Sequence, residues 1–139
     1  MPRLAITDDM LTSAAAAVAL KDYDPRAVLE AQEAPIYLTD EEGVVVYAND
    51  ACEPFAGRAP ALGKDRWCVT WKLYTNDGKF LPHDECPLAV AIRERKPIRG
   101  ASTVAERPDG TRVPFKPFPT PIFGRGGRLV GAVNILMLA

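Results

Sequence analysis

His83-Asp84-Glu85-Cys86 places an imidazole, two carboxylates and a thiol in four consecutive residues. His83 and Cys86 fit one helical face. Neighbouring residues cannot all converge on one ion, however, and tight sites need three or four ligands. The simpler expectation is that Asp84 and Glu85 cap a helix while His83 precedes it in solvent, with no metal bound. A nucleophilic role for Cys68 or Cys52 needs a base, and His83 is the sole histidine. No oxyanion-type glycine motif accompanies them, so the chain is not expected to be an enzyme. Trp67 and Trp71, four residues apart, suit either a core or the wall of a ligand pocket. Cys52, Cys68 and Cys86 are an odd number at wide spacings without a C-x-x-C pair. They make a poor disulfide framework and no zinc pattern, and read as reduced thiols of a cytoplasmic protein.

The elements that must position these residues belong to one domain with some extra sequence, since 139 residues suffice for an unstapled core. Apolar residues make up 47% and charged residues 25%, an ordinary globular balance. Seventeen basic residues against eighteen acidic ones leave a net charge of −1, which points away from a nucleic-acid partner. The apolar run 14–20 is too short to span a bilayer, and no secretory signal is recognisable, so no membrane is expected.

Residues 1–9 read as frayed. A helix is expected from Asp8 or Asp9, the acids at its positive end, with Met10, Leu11, Ala14, Ala15 and Val18 on one stripe. Lys21-Asp22-Tyr23 breaks it, and Asp24-Pro25 restarts a helix with Asp24 as its N-cap. Strands follow over 36–40 and 44–48 around Glu41-Glu42-Gly43, then a short helix capped by Asn49 or Asp50 and stopped by Gly57. Residues 58–84 read as irregular around an Asn76-Asp77-Gly78 turn. A helix is expected over 86–95, with Leu88, Ala91 and Ile92 on its apolar face and 93–96 as a solvated end.

Three strands close the chain, at 99–107, 111–122 and 128–138. The last is apolar on both faces, which demands cover on both: the mid-chain helices on one, the N-terminal segment or a second subunit on the other. Pro117, Pro119 and Pro121 alternate along the middle strand. Their missing donors face one edge, so that edge should be bulged or unpaired beyond residue 116, on the side of an edge strand.

This order resembles a PAS domain over residues 27–138. The matching text is Ile36-x-Leu38-x-Asp40, Gly43 to Asn49, Asp109-Gly110 between strands, and Gly127-x-Leu129-Val130-Gly131-Ala132-Val133. The middle is similar to a PAS subgroup, here Trp71-Lys72-Leu73-Tyr74, Asp77-Gly78, Leu81-Pro82 and Glu85-Cys86-Pro87-Leu88. The resemblance implies an α+β fold. It has a five-stranded antiparallel sheet, short helices on one face and an N-terminal helical extension, divided as 1–33 and 34–139. It further implies a bacterial, cytoplasmic sensory module that binds a small molecule between sheet and helices. Such modules commonly form homodimers through the N-terminal helices, and they signal to a histidine kinase or another effector. The alternative is a constitutive interaction domain whose pocket is filled by its own side chains.

Pocket residues expected from parity and resemblance are Tyr37, Trp67, Trp71, Leu88, Ile92, Phe115 and Val133. Some PAS domains hold haem iron through a histidine on the corresponding helix, which makes His83 a weak haem candidate just ahead of it. The cysteine motif of the flavin-binding light sensors has no counterpart around Cys68, so neither haem nor flavin is supported. The chain end, Ile135-Leu136-Met137-Leu138-Ala139, lacks the Asp-Ile-Thr-like motif that links PAS domains to effectors. In a complete chain the output would therefore pass through association with another protein.

Overall fold

A computed structural model describes residues 8–17 and 24–138. The fraying expected for the first residues, the acid caps at Asp8 and Asp9, Val18 of the stripe and the break at 21–23 lie outside what is described. The elements run α1 (Asp8–Ala17), α2 (Pro25–Glu30), β1 (Ile36–Asp40), β2 (Val45–Ala48), α3 (Cys52–Ala56), β3 (Lys72–Tyr74), β4 (Phe80–Leu81), α4 (Pro87–Glu94), β5 (Thr103–Glu106), β6 (Arg112–Phe123) and β7 (Leu129–Leu138). The strands form one antiparallel sheet in the order β2-β1-β7-β6-β5-β3-β4.

Seven strands stand where five were expected, because the stretch read as irregular contains β3 and β4. They are three and two residues long and are joined through Gly78 at φ +87°. Strands this short present too few side chains for alternation to show. β5 also begins at Thr103 rather than Arg99.

Local chemistry accounts for the turns. Asp40 Oδ1 accepts the backbone N–H groups of Glu42 and Val44, at 2.9 and 3.0 Å, and so closes the β1–β2 hairpin. Gly43 sits there at φ +84°, where a Cβ would drive into the Trp67 ring. Asp24 caps α2 as expected, accepting from the Arg26 N–H at 3.3 Å, and Gly57 ends α3 in the left-handed conformation.

Two other caps differ from expectation. Neither Asn49 nor Asp50 caps α3 through its side chain, since the N-cap is Ala51 without a side-chain bond. Asn49 instead points inward, its Oδ1 accepting from the Ile36 N–H and its Nδ2 donating to the Leu29 and Ala34 carbonyls, all at 3.0 Å. Nor do Asp84 and Glu85 cap α4. Residues 83–85 form a single 3-10 turn, and the α4 N-cap is Cys86.

Two apolar clusters cover the two faces of the sheet. The inner one joins α3 and α4 to the sheet through Phe55, Leu88 and Ile92, with Tyr37, Phe115 and Leu136 beneath them. The outer one joins α1 and α2 through Met10, Leu11, Ala14 and Leu29 to Ile36, Leu38 and Val133. The N-terminal helices therefore supply the second cover that β7 demanded.

The proline edge behaves as its chemistry requires. β5 pairs with β6 only up to Phe115, and from there to Phe123 β6 is paired by β7 alone. The Pro119 carbonyl on the open side accepts from the Ile98 N–H at 3.2 Å and from Arg99 Nη1 at 3.0 Å. The neighbour on that side is β5, which is interior to the sheet rather than an edge strand.

Candidate functional site

The inner face carries the polar groups of Tyr37, Asn134 and Thr103 within its packing. Tyr37, fully buried on β1, donates its hydroxyl hydrogen to the Trp67 carbonyl at 2.8 Å and accepts from Asn134 Nδ2 at 3.0 Å. Asn134 Oδ1 in turn accepts from the Phe118 N–H at 3.1 Å. This relay ties β1, β7 and β6 to the 66–71 segment that leads into β3. Thr103, on β5 opposite Phe115, shares the inner face with Ala105 two residues further on. Its hydroxyl is buried without a hydrogen-bond partner among the described residues. Such an orphan costs about 1–3 kcal/mol.

The three thiols are buried in the same cluster. Burial, with Cys68 as the next contribution, pushes Cys52 and Cys86 up to about 12. Burial likewise holds the Tyr37 hydroxyl protonated well above its ordinary value, reinforced by the nearby Cys68 and Cys86 thiols. Thiols held protonated are poor nucleophiles and poor metal ligands. Among the described residues no group of three or more His, Cys, Asp or Glu side chains is placed to hold a metal ion. Cys52 and Cys86 are thus suited to packing rather than to covalent chemistry.

A concavity lies on the surface beside this cluster. Arg58, Lys64, Arg66, Trp71 and His83 line a cavity of about 290 Å³, with Cys68 and Thr70 at its floor. Arg58 holds Asp65 through two bonds of 2.9 and 3.0 Å and also donates to the Val69 carbonyl. His83 Nε2 is 3.0 Å from the Thr70 hydroxyl, and burial lowers its pKa below the ordinary 6.5.

Of the seven expected pocket residues, Tyr37, Leu88, Ile92 and Phe115 meet in the inner cluster, with Trp67 packed against it. Trp71 does not join them. It is 40% exposed, because Trp67 adopts φ +74° and the segment is not a helix that could align the two indoles. Val133 belongs to the outer cluster. The pairing skips Val130, with Ile122 opposite Gly131 and Phe123 opposite Leu129, so side-chain parity flips along β7. His83 engages Thr70 on the surface side, not the inner cluster. Sequence reasoning missed Asn134 and Thr103. Asn134 had a legible signal, as the one polar residue of the run Leu129–Leu138. Thr103 had none.

No family model and no curated protein matches the chain. Solved structures do. The PAS domain of the fruit-fly ELK potassium channel superposes with a TM-score of 0.64 at 14% identity, covering 81% of this chain and 92% of that one. The PAS domain of Bordetella pertussis BvgS gives 0.54 at 19% identity, over 82% and 81%. An RNA-binding light-oxygen-voltage receptor gives 0.61 at 22% identity over 81% of this chain, which spans only 31% of that receptor. The fold of this chain is the PAS fold, in an α+β form with a seven-stranded sheet.

Proposed function

We propose that this chain is a non-enzymatic sensory module, one that binds a small molecule between α4 and the inner face of the sheet. It then signals through association with a second copy and with an effector such as a histidine kinase. The observation that carries the reading is the polar inner face: the Tyr37–Asn134 relay together with the orphan Thr103 hydroxyl. A small polar ligand that satisfied Thr103 would recover the free energy otherwise lost to an unpaired buried group. It would favour one packing of α4 over another, which is the differential interaction a sensor requires. Among the described residues no helix is long and apolar enough to cross a membrane, and a cytoplasmic location fits this reading.

The alternative, a constitutive interaction domain with a self-filled pocket, is favoured by the edge-to-face contact of Phe55 and Phe115, centroids 5.2 Å apart, in the middle of the cluster. Thr103→Val separates the two. In the sensor reading, native mass spectrometry of the purified protein finds a co-purified small molecule, and Thr103→Val loses it along with stability. In the self-filled reading no ligand is found, and the substitution stabilises by removing an orphan hydroxyl.

Association between copies is supported by the uncovered part of the outer face. There Phe118, Thr120, Ile135 and Met137 line a groove of about 360 Å³, and Met137 is 45% exposed. Met137→Glu should shift a dimer to monomer in sedimentation velocity. Unchanged sedimentation of a dimer would remove this face from the interface.

A further inference from the structure

The surface cavity beside His83 carries an excess of cations in its lining. Its lining brings three cations, Arg58, Lys64 and Arg66, against one carboxylate, Asp65. That carboxylate is already committed, since it accepts from both terminal nitrogens of Arg58 and from the Ala61 N–H at 2.9 Å. Lys64 and Arg66 are exposed, and among the described residues no carboxylate pairs with either. Arg66 is nonetheless held in place. Its Nε donates to the Glu42 carbonyl at 2.7 Å, and its guanidinium lies 4.4 Å from the centroid of the Trp67 ring. In a chain of net charge −1 this is a local reversal of sign with one fixed cation and one free one.

The same cavity carries an aromatic wall. Trp71 lines it with 40% of its surface exposed, while the Lys72 ammonium sits 4.4 Å from the ring centroid. An indole left this open at a cationic recess offers a stacking surface for a planar group. At about 290 Å³ the space equals roughly ten waters, at the lower edge of small-ligand sites. A bare inorganic anion would leave the indole unused.

We infer that the recess formed by Lys64, Arg66 and Trp71 binds a small planar carboxylate. Its carboxylate lies between the two cations and its unsaturated body lies on the indole. This site is separate from the inner cluster and stands or falls independently of the sensor reading.

Benzoate is the probe, titrated by calorimetry and by tryptophan fluorescence, with acetate, benzyl alcohol and inorganic phosphate as comparisons. Benzoate is expected to saturate at or below millimolar concentration, and each comparison to bind at least tenfold more weakly. Lys64→Gln, Arg66→Gln and Trp71→Leu should each weaken benzoate about tenfold, as for loss of one charge-assisted bond or one stacking face, with unchanged thermal unfolding. Thr103→Val should leave benzoate binding untouched, which keeps this test distinct from that of the inner site. The inference is overturned if benzoate does not saturate, or if phosphate or benzyl alcohol binds equally well. Benzoate affinity unchanged in all three variants would overturn it too.

Discussion

Asn49→Ala removes three hydrogen bonds to the backbone at once, and with them the contact of the Cys52 thiol with Asn49 Oδ1. The Asn49 side chain, 2% exposed, accepts from the first N–H of β1 and donates to the last turn of α2 and to Ala34. It is the joint between the N-terminal helices and the sheet. After truncation the Leu29 carbonyl keeps the Gln32 N–H at 3.3 Å, whereas among the described residues the Ile36 N–H and the Ala34 carbonyl have no other partner. Two groups left unpaired at about 1–3 kcal/mol each, plus one ordinary bond at about 1, place the loss at roughly 3–7 kcal/mol. Against a domain stability of about 5–15 kcal/mol, that is a large fraction. In equilibrium urea unfolding, with a slope of roughly 2 kcal/mol per molar, the midpoint should fall by about 1.5–3.5 M. Asn76→Ala, an exposed turn residue, serves as the control and should stay within about 0.5 kcal/mol. Asn49→Asp adds a sign test. It keeps the acceptor for Ile36 but sets a buried carboxylate against two carbonyls, which raises its folded-state pKa above the unfolded value. Its stability should therefore drop as pH rises from about 4 and recover on acidification. A loss below about 1 kcal/mol for Asn49→Ala would refute the joint.

Protonation of His83 should oppose folding, because burial lowers its folded-state pKa below 6.5. Stability is then complete above that value and declines as pH falls through the window beneath it, until the folded form also titrates. His83→Gln should flatten this dependence in urea titrations at pH 7 and pH 5. Gly131→Ala places a Cβ against the Thr39 carbonyl of the adjacent strand and 3.0 Å from Met10 Cε. The resulting loss should be about 1–3 kcal/mol, read as a lowered midpoint. Cys52 and Cys86, buried and pushed up to about 12, should react with a thiol reagent at pH 8 only as fast as the protein opens. Rapid modification of either in the native state would show that the inner cluster is accessible.

The parts of this fold written in short-range chemistry were legible. Glu41-Glu42-Gly43 announces a hairpin because the turn needs an acceptor at Asp40 and a positive φ at Gly43, and both are properties of residue type. The alternating prolines fixed the open edge of β6 for the same reason, since a missing donor belongs to the residue itself. What escaped depends on long-range geometry. The skipped Val130 cannot be counted from the β7 sequence, yet it decides that Val133 faces α1 while Ala132 and Leu136 face α4. Trp67 and Trp71 look paired at a spacing of four until a left-handed residue at Trp67 turns one inward and leaves the other open. The surface cavity was invisible in sequence because Arg58 spends its charge on Asp65, and only the fold shows that Lys64 and Arg66 have no equivalent partner.

Trp67 is where these pieces meet, and Gly43→Ala tests it. The Trp67 carbonyl accepts the Tyr37 hydroxyl at 2.8 Å and takes the Cys86 thiol at 3.8 Å from the N-cap of α4. The ring fills the notch over Gly43 beneath the Arg66 guanidinium. One residue thus links the inner relay, the start of α4 and the surface cavity, and holds a backbone conformation that is itself uphill by about 1–2 kcal/mol. An alanine at 43 meets two obstacles: a φ of +84° that disfavours any Cβ, and the six-membered part of the indole in the space it would occupy. Strain and displacement together should cost about 2–4 kcal/mol. The location of the damage is more telling than its size. If the ring is expelled, Trp67 emission should shift to the red and amide exchange should quicken at Val90, whose N–H bonds to the Cys86 carbonyl at 3.0 Å. Amides of the β5–β6 ladder, separated from β1 by β7 in the sheet order and outside the relay, should exchange as before. Equal acceleration across both regions would mean global destabilisation and would remove Trp67 as the link. Local acceleration confined to the α4 start would show that a contact at the hairpin turn is felt by the helix that covers the inner face.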